Sequence, residues 1–403
     1  MLSRNLSNTC FDKDYGKQMR FIAGPRQVGK TTLVKNYLKE NKQSILYFNW
    51  DFRDIRLAYQ KDPDFFTRDI LNISPPGIPW VCFDEIHKYP KWKDILKEAY
   101  DKYNGQYNFV ITGSARLDLF RKAGDSLAGR YFLFKLLPLT LNEITNYNKP
   151  QNDNLNSAID FIEKRLSNKF YKQKEMESLL RFSGFPDPFI SQSNKFHNKW
   201  KLTYIDKLIY DDIRAISQVS DLENISQLLL LLPLKVGSPL SINSLRTDIF
   251  ASHNALKNYI NVLELAYLSF MIKPFSKNLA RSITKEKKLY FFDWTNIENP
   301  AIRFENYVAV ELKALTEFWN DLGHNFSLYY LRTKDGKESD FLISKNNQPW
   351  LIIEVKSSKQ IIENHHYKNA EKLGNIPVVQ LIKENNIAEK HEKGYQISAS
   401  RFF

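Results

Sequence analysis

The chain has 403 residues and carries 58 Lys and Arg against 45 Asp and Glu, a net charge of +13. That length suits two or three domains, and 43% hydrophobic with 26% charged residues excludes wholesale disorder. Only two cysteines, Cys10 and Cys82, exclude a disulfide framework or a cysteine-rich zinc site; no apolar run approaches the roughly 20 residues of a membrane span, and Met1–Cys10 lacks a signal-peptide core, so a cytoplasmic protein with no membrane partner is expected.

Residues 1–145 alternate short apolar runs with helix-like polar stretches. The runs are Met19–Ala23, Ile45–Phe48, Trp80–Phe83, Phe109–Thr112 and Tyr131–Leu136, with Ser74–Gly77 breaking the chain before the third. This predicts an α/β fold with a parallel sheet covered on both faces. Trp50, Trp80 and Phe83 read as core. The Asn-rich Asn146–Asn156 reads as a linker, and residues 146–300 as helical. The leucine run Leu228–Leu232 stops at Pro233. A short helix at Ser241–Leu245, a second at Ser252–Leu265 and a strand at Tyr267–Ile272 predict a winged-helix unit. Its second helix carries His253, Asn254, Lys257 and Asn258 on polar positions, which suits either groove reading or a protein-interaction module. The stretch Lys273–Lys288, with six basic residues against one acid, reads as the wing, contacting phosphates or merely solvated. Residues 301–403 then predict a helix at Ala301–Trp319 and strands at Ser327–Leu331, Glu338–Ser344 and Trp350–Val355, the last two joined by the turn Asn346-Asn347.

The sharpest motif is Gly24-Pro25-Arg26-Gln27-Val28-Gly29-Lys30-Thr31, which fits G-x-x-x-x-G-K-[ST] at every position, between a strand (Arg20–Ala23) and a helix (Thr32–Leu38). Glycines let backbone N–H groups converge on phosphate oxygens, and the helix N-terminus adds partial positive charge. Lys30 is expected on the β- and γ-phosphates and Thr31 on Mg²⁺. Asp84 and Glu85 end an apolar strand beside this loop. Asp84 is expected to hold Mg²⁺ through water and Glu85 to polarise the attacking water. Thr112 or Ser114, ending the next strand, senses the γ-phosphate or forms a turn. Arg130 reads either as an arginine finger, in cis or from a neighbour, or as a surface ion pair; Arg116 and Arg121 are weaker candidates. A finger from a neighbour calls for a homo-oligomer, which nothing in the residues requires.

Towards the C-terminus, Asp340, Glu354 and Lys356 form D-x13-E-x-K. Strand alternation puts Glu354 and Lys356 on one face, and pairing of the two strands brings Asp340 alongside. Asp340 and Glu354 can then bind Mg²⁺ for phosphodiester hydrolysis, with Lys356 orienting water and Glu305 completing the shell. A solvated hairpin of alternating charges reads equally well. The adjacent His365 and His366 are expected to point apart, and no Ser-His-Asp arrangement stands out.

The order of these motifs resembles the prokaryotic AAA-type (archaeal-ATPase-like) P-loop family. The resemblance rests on the phosphate loop, Asp84-Glu85, Thr112-Gly113-Ser114, Ser126-Leu127-Ala128-Gly129-Arg130, Leu137-Pro138-Leu139-Thr140-Leu141-Asn142-Glu143-Ile144 and Gly184-Phe185-Pro186. It implies a P-loop domain at 1–145, a helical lid and winged-helix region at 146–300, and a restriction-endonuclease-like PD-(D/E)xK domain at 301–403. It implies ATP and Mg²⁺ at Gly24 to Thr32, Asp84 and Glu85, and metal-site roles for Glu305, Asp340, Glu354 and Lys356. His87 departs from the glutamine common after Asp-Glu-Ile. The expected function is a Mg²⁺-dependent ATPase whose nucleotide state controls a DNA-binding or DNA-cleaving domain. The alternative is a nucleotide-dependent switch signalling to a protein partner, with the C-terminal domain catalytically silent.

Overall fold

Alternate residues of each N-terminal strand bury themselves on opposite faces of one sheet. In the computed structural model, which describes residues 2–70, 77–113, 127–145, 153–213, 222–276, 286–333 and 335–403, helix α1 (Asn5–Cys10) leads into β1 (Met19–Ala23) and α2 (Lys30–Glu40). Then come β2 (Tyr47–Asn49), α3 (Arg53–Lys61), α4 (Phe65–Ile70), β3 (Trp80–Asp84), α5 (Trp92–Tyr103), β4 (Asn108–Thr112) and β5 (Tyr131–Lys135). The five strands are parallel in the order β2-β3-β4-β1-β5. Ile22, Cys82 and Val110 pack on Leu33, Val34 and Leu38 of α2 and on Leu6 and Cys10 of α1. Their strand neighbours Phe21, Phe83 and Phe109 pack the other way with Trp50, Trp92 and Leu96. Each such side chain contributes about 1.5–3 kcal/mol on burial. The second strand starts later than the apolar run suggests. Residues Ser44–Leu46 form a 3₁₀ turn that leaves Ile45 exposed and brings the chain round from α2.

Three further helices, α6 (Leu141–Thr145), α7 (Ala158–Ser167) and α8 (Gln173–Phe182), precede α9 (Pro186–Ser191) and α10 (Asn194–Lys207). After α11 (Leu222–Leu231), α12 (Ile242–Asp248) and α13 (His253–Leu265) are each capped by a serine, Ser241 and Ser252, whose oxygen accepts from the third residue on. Leu256, Ile260 and Leu263 of α13 are buried, while Asn254, Lys257 and Asn258 stay exposed. The hairpin β6 (Ser269–Pro274) and β7 (Lys288–Phe291) follows, as in a winged helix, but it does not stand alone. β6 pairs in parallel with β8 through Lys273↔Tyr329 and Pro274↔Tyr330, so the middle and C-terminal regions share one sheet.

That sheet is completed by β8 (Phe326–Arg332), β9 (Glu338–Lys345), β10 (Gln348–Lys356), β11 (Val378–Ile382), β12 (Ala388–Lys390) and β13 (Tyr395–Ser398), with α15 (Asn364–Lys372) and α16 (Ala399–Phe402) beside it. Its order is β12-β13-β11-β10-β9-β8-β6-β7. Asn346 and Asn347, at φ 51° and 62°, make the tight β9–β10 turn that their sequence announces. α14 (Pro300–Asp321) starts on the Asn299 cap with Pro300 in its first turn and is fed by an apolar stripe that includes Phe304, Tyr307, Val308 and Leu312. One buried apolar cluster runs from Phe21 and Trp50 through Leu179 and Trp294 to Phe341 and Phe402, so the regions are packed together.

The α14 helix also holds polar contacts with the first domain. Glu317 receives Lys135 at 3.1 Å and Lys313 at 2.7 Å, and Glu311 accepts the Leu141 N–H at 2.8 Å. Burial pushes the Glu311 carboxyl up to about 8, so it is protonated at neutral pH. A group raised by folding stabilises the fold below its unfolded value and loses that contribution as pH climbs through its folded value. Glu311→Gln keeps the acceptor without the ionisation. It should flatten the fall in thermal midpoint that the unaltered chain shows as pH rises from about 4.5 to about 8, measured by calorimetry across that range; an identical pH profile in both chains refutes this.

Candidate functional site

The loop between β1 and α2 is shaped by its glycines. Gly24 sits at φ 147°, where a Cβ would lie 2.1 Å from the Leu136 carbonyl, and Gly29 at φ 100° turns the chain into the helix. No other residue satisfies both demands. Lys30 is buried, and its Nζ donates to the Gly24 and Pro25 carbonyls at 2.9 and 2.7 Å, across the loop mouth. Arg26, Gln27, Gly29, Thr31 and Thr32 line a cleft with Lys30, Glu85, Lys88, Pro186 and Asp187. Val28 is fully buried, so it can serve a ligand only through its backbone.

Asp84 ends β3 between β2 and β4. The Thr31 hydroxyl donates to its Oδ2 at 3.0 Å, and the hydroxyls of Tyr47 and Thr112 also donate to this carboxylate. A carboxylate and a threonine hydroxyl beside a lysine and a glycine-made cradle are oxygen donors of the kind Mg²⁺ takes with a nucleotide, so these residues fit that ion. Thr112 thus lies on Asp84 at the strand ends. Tyr47 was not anticipated; a tyrosine one strand over from the acid was its only signal. Burial, then Asp84, pushes its hydroxyl far above the ordinary value. Glu85 takes a left-handed conformation at φ 58°, held by its N–H on the Thr112 carbonyl at 2.9 Å. Strain of this kind costs about 1–3 kcal/mol and gathers at functional sites. Burial raises the Glu85 carboxyl above the ordinary value, and Lys88 at 3.1 Å opposes the rise.

Arg130 does not reach this site in its own chain. It precedes β5, whose start aligns with Met19, so it lies at the edge of the parallel sheet opposite the loop. There it pairs with Asp101 at 2.8 Å, which corrects the reading of it as a finger acting in cis. Ser114, Arg116, Arg121 and Ser126 lie outside the described residues.

Two side chains that the motif reading missed, Arg4 and Trp200, tie the loop to the rest of the chain, and Gly184 shapes the cleft beside it. Arg4 donates to the Val28 carbonyl at 2.9 Å, to Glu143 Oε1 at 3.1 Å and to the Leu137 carbonyl. The Trp200 indole donates to Gln27 Oε1 at 2.7 Å. Gly184 accepts the Leu139 N–H at 2.7 Å in a space where a Cβ would meet the Leu139 carbonyl at 2.9 Å, and this close approach sets Pro186 and Asp187 at the cleft.

A second polar cluster lies on the C-terminal sheet. One step past the Phe341↔Ile353 pair, Asp340 lies beside Glu354, and Asp340 Oδ2 accepts the Val355 N–H at 2.9 Å. Lys356 Nζ is 2.7 Å from Glu354 Oε1. Glu305, from α14, accepts the Tyr290 hydroxyl at 2.8 Å. The sequence-derived quartet therefore converges. It is joined by a residue assigned to the wing: Lys288 is not solvated but fully buried, its Nζ 2.5 Å from Glu338 Oε1 and 3.7 Å from both Glu305 Oε1 and Asp340 Oδ1. Pairing of β7 with β6 draws it inward.

The two histidines do not point apart either. Helix α15 begins against β9, and their ring centroids are 3.8 Å apart. His365 Nε2 meets the Glu338 carbonyl at 2.8 Å, and His366 Nδ1 meets Ser339 Oγ at 2.8 Å. Burial, then His365, lowers His366 to about 3, so it is neutral. Its Nε2 lies 3.5 Å from Glu354 Oε2. Ser339, His366 and Glu354 thus meet, but the serine is fully buried and meets no substrate. Burial and the charge of Asp340 raise both Glu305 and Glu354 above the carboxylate range. The donors have the chemistry of a divalent-ion site, yet an ammonium stands among them. Among the described residues no group of three or more His, Cys, Asp or Glu is placed to hold a metal. The cluster as it stands does not fit a bound divalent ion, which corrects the expected metal site.

Among the described residues no helix is long and apolar enough to cross a membrane. Residues 16–145 match the family model of an AAA domain, and residues 173–295 and 302–400 match two domains of unknown function. An uncharacterized protein of Methanocaldococcus jannaschii is 27% identical over 415 residues, covering 94% of this chain and 84% of its own length. One from Haemophilus influenzae is 25% identical over 370 residues, covering 86% and 84%. Among solved structures, the Walker-type ATPase of Pyrococcus abyssi matches with a TM-score of 0.44 at 14% identity, over 75% of this chain and 95% of that one. The RuvB protein of Thermotoga maritima matches at 0.29 and 17%, over 63% and 81%. Residues 16–145 are a P-loop, ATPase-like AAA domain, followed in the chain by two domains of unknown function.

Proposed function

We propose that this chain binds ATP with Mg²⁺ and hydrolyses it, and that its nucleotide state controls a C-terminal nuclease-like domain that binds or cleaves nucleic acid. The observation that carries the first part is the Thr31–Asp84 contact beside Lys30, made between the first turn of α2 and the tip of β3. The loop N–H groups would cradle the phosphates, and Lys30 would turn from the Gly24 and Pro25 carbonyls to the β- and γ-phosphates. Thr31 and Asp84 would hold Mg²⁺, which supplies charge neutralisation on the transferring phosphoryl group. Glu85, its proton affinity raised by burial, would take the proton of the attacking water.

Coupling is supported by a connected path. The loop carbonyl of Val28 rests on Arg4, Arg4 on Glu143, and the first turn of α6 on Glu311. Glu311 lies six residues, about 9 Å, along α14 from Glu305 of the acid cluster. The net charge of +13 and the exposed Asn254, Lys257 and Asn258 favour a polyanion as partner. The second reading, a switch that signals to a protein partner and has a silent C-terminal domain, is favoured by the buried lysine within that cluster.

Lys30→Ala should weaken ATP binding by roughly 100-fold or more, by calorimetry, because it removes charge-assisted contacts to two phosphates. Glu85→Gln should leave that affinity within a few-fold and cut turnover by about 10²–10⁴. Turnover that survives Lys30→Ala rejects the loop assignment.

Duplex DNA retention should fall steeply as salt rises. It should differ between ATP- and ADP-loaded protein, and Arg4→Lys, which loses the three-way fork, should narrow that difference. Retention that is absent even at low salt favours the protein-signalling reading.

A further inference from the structure

We propose that Trp200 is a positioning residue for the nucleotide: its indole holds Gln27 in the conformation that turns the phosphate loop onto its ligand, so helix α10 helps to set the affinity of the loop. This rests on reading the loop as a nucleotide site. Gln27 stands at φ 60° and Gly29 at φ 100°, on either side of Val28. Left-handed residues in such a loop turn neighbouring N–H groups toward one concavity, which is how a backbone holds phosphate. Glycine enters that region freely. A glutamine does so at a steric cost that contacts from outside the backbone must offset.

The offsetting contact comes from a distant element. The Trp200 indole donates to Gln27 Oε1 at 2.7 Å, between residues 173 apart in the chain. An indole N–H is a donor only, so it selects the carbonyl end of the amide and fixes which way that side chain turns. Trp200 is 7% exposed and packs ring to ring against Phe185 at 5.2 Å and Tyr204 at 4.8 Å. The carbonyl of the next residue, Val28, is held by Arg4 at 2.9 Å, so side chains from α10 and from the start of the chain fasten adjacent residues of the loop. Helix α10 is braced in its turn. His197 Nε2 meets Thr295 Oγ1 at 3.2 Å, and Lys201 donates to the Thr295 carbonyl at 3.4 Å. Thr295 lies between β7 and α14, so the segment that leads into the C-terminal sheet reaches the phosphate loop through Trp200.

The test measures ADP binding with Mg²⁺ by calorimetry on the full chain, and KM and kcat for ATP. Trp200→Phe, which keeps an aromatic ring and removes the N–H, should weaken ADP binding by about fivefold or more and raise KM more than it lowers kcat. Asparagine enters the left-handed region readily and has a shorter side chain, so its backbone does not need the indole. With Gln27→Asn in place, Trp200→Phe should therefore change ADP affinity by less than about twofold. Gln27→Leu, which loses the acceptor and resists φ 60°, should bind ADP about fivefold or more weakly than Gln27→Asn, and this comparison stands if Trp200→Phe is too unstable to assay. Undiminished ADP affinity in Trp200→Phe overturns the proposal. So does a loss of equal size in the Gln27 and Gln27→Asn backgrounds, which marks a general loosening of α10, and so does equal affinity of Gln27→Leu and Gln27→Asn. An unaltered chain that binds neither ADP nor ATP overturns instead the reading of the loop as a nucleotide site.

Discussion

The carboxylate of Asp84 is the contact on which the N-terminal half depends. It stands at the carboxyl tip of β3 and accepts hydroxyls from the strand on either side and from the first turn of α2. A buried carboxylate is costly unless such donors surround it, so the same group that invites a magnesium also ties the tips of β3 and β4 to the head of α2 and to the Tyr47 side chain of β2. The geometry follows from a parallel sheet: every strand delivers its last residue to one edge, and the phosphate loop opens there.

Helix α14 carries that order into the other half of the chain. Its Glu311 closes the first turn of α6, its Glu317 receives the lysine that ends β5, and its Glu305 enters the acid cluster. A helix is stiff over this distance, so a displacement imposed at one of these carboxylates is felt at the others. The continuous apolar cluster beneath it makes independent motion of the regions expensive. Arg4 adds the remaining link, because one planar guanidinium reaches the phosphate loop, Glu143 and the Leu137 carbonyl together.

The C-terminal cluster shows a different economy. Four acids, Glu305, Glu338, Asp340 and Glu354, face two lysines, and burial lifts two of these acids above their ordinary range. Removing water strengthens each pairing and penalises each charge left over. His366 stands 3.5 Å from Glu354 as a neutral ring, which adds no charge to the cluster.

What the sequence alone determined is whatever a few adjacent residues dictate. The phosphate loop depends on backbone conformations that only glycine takes, within eight residues of one another. The Asn346-Asn347 turn pairs β9 with β10, and strand alternation then brings Asp340, Glu354 and Lys356 together. The tertiary structure decided which distant charge answers a buried one. Arg130 is drawn to Asp101 because the start of a parallel strand lies at the far edge from the loop. Lys288 reads as a solvated basic residue until β7 pairs with β6 and joins the C-terminal sheet, and Arg4 has no visible purpose until α1 packs beside the loop. Local torsion and alternation are written into neighbouring residues, whereas the neutralisation of a buried charge depends on packing between elements distant in the sequence, and that is set only when the whole chain closes on one core.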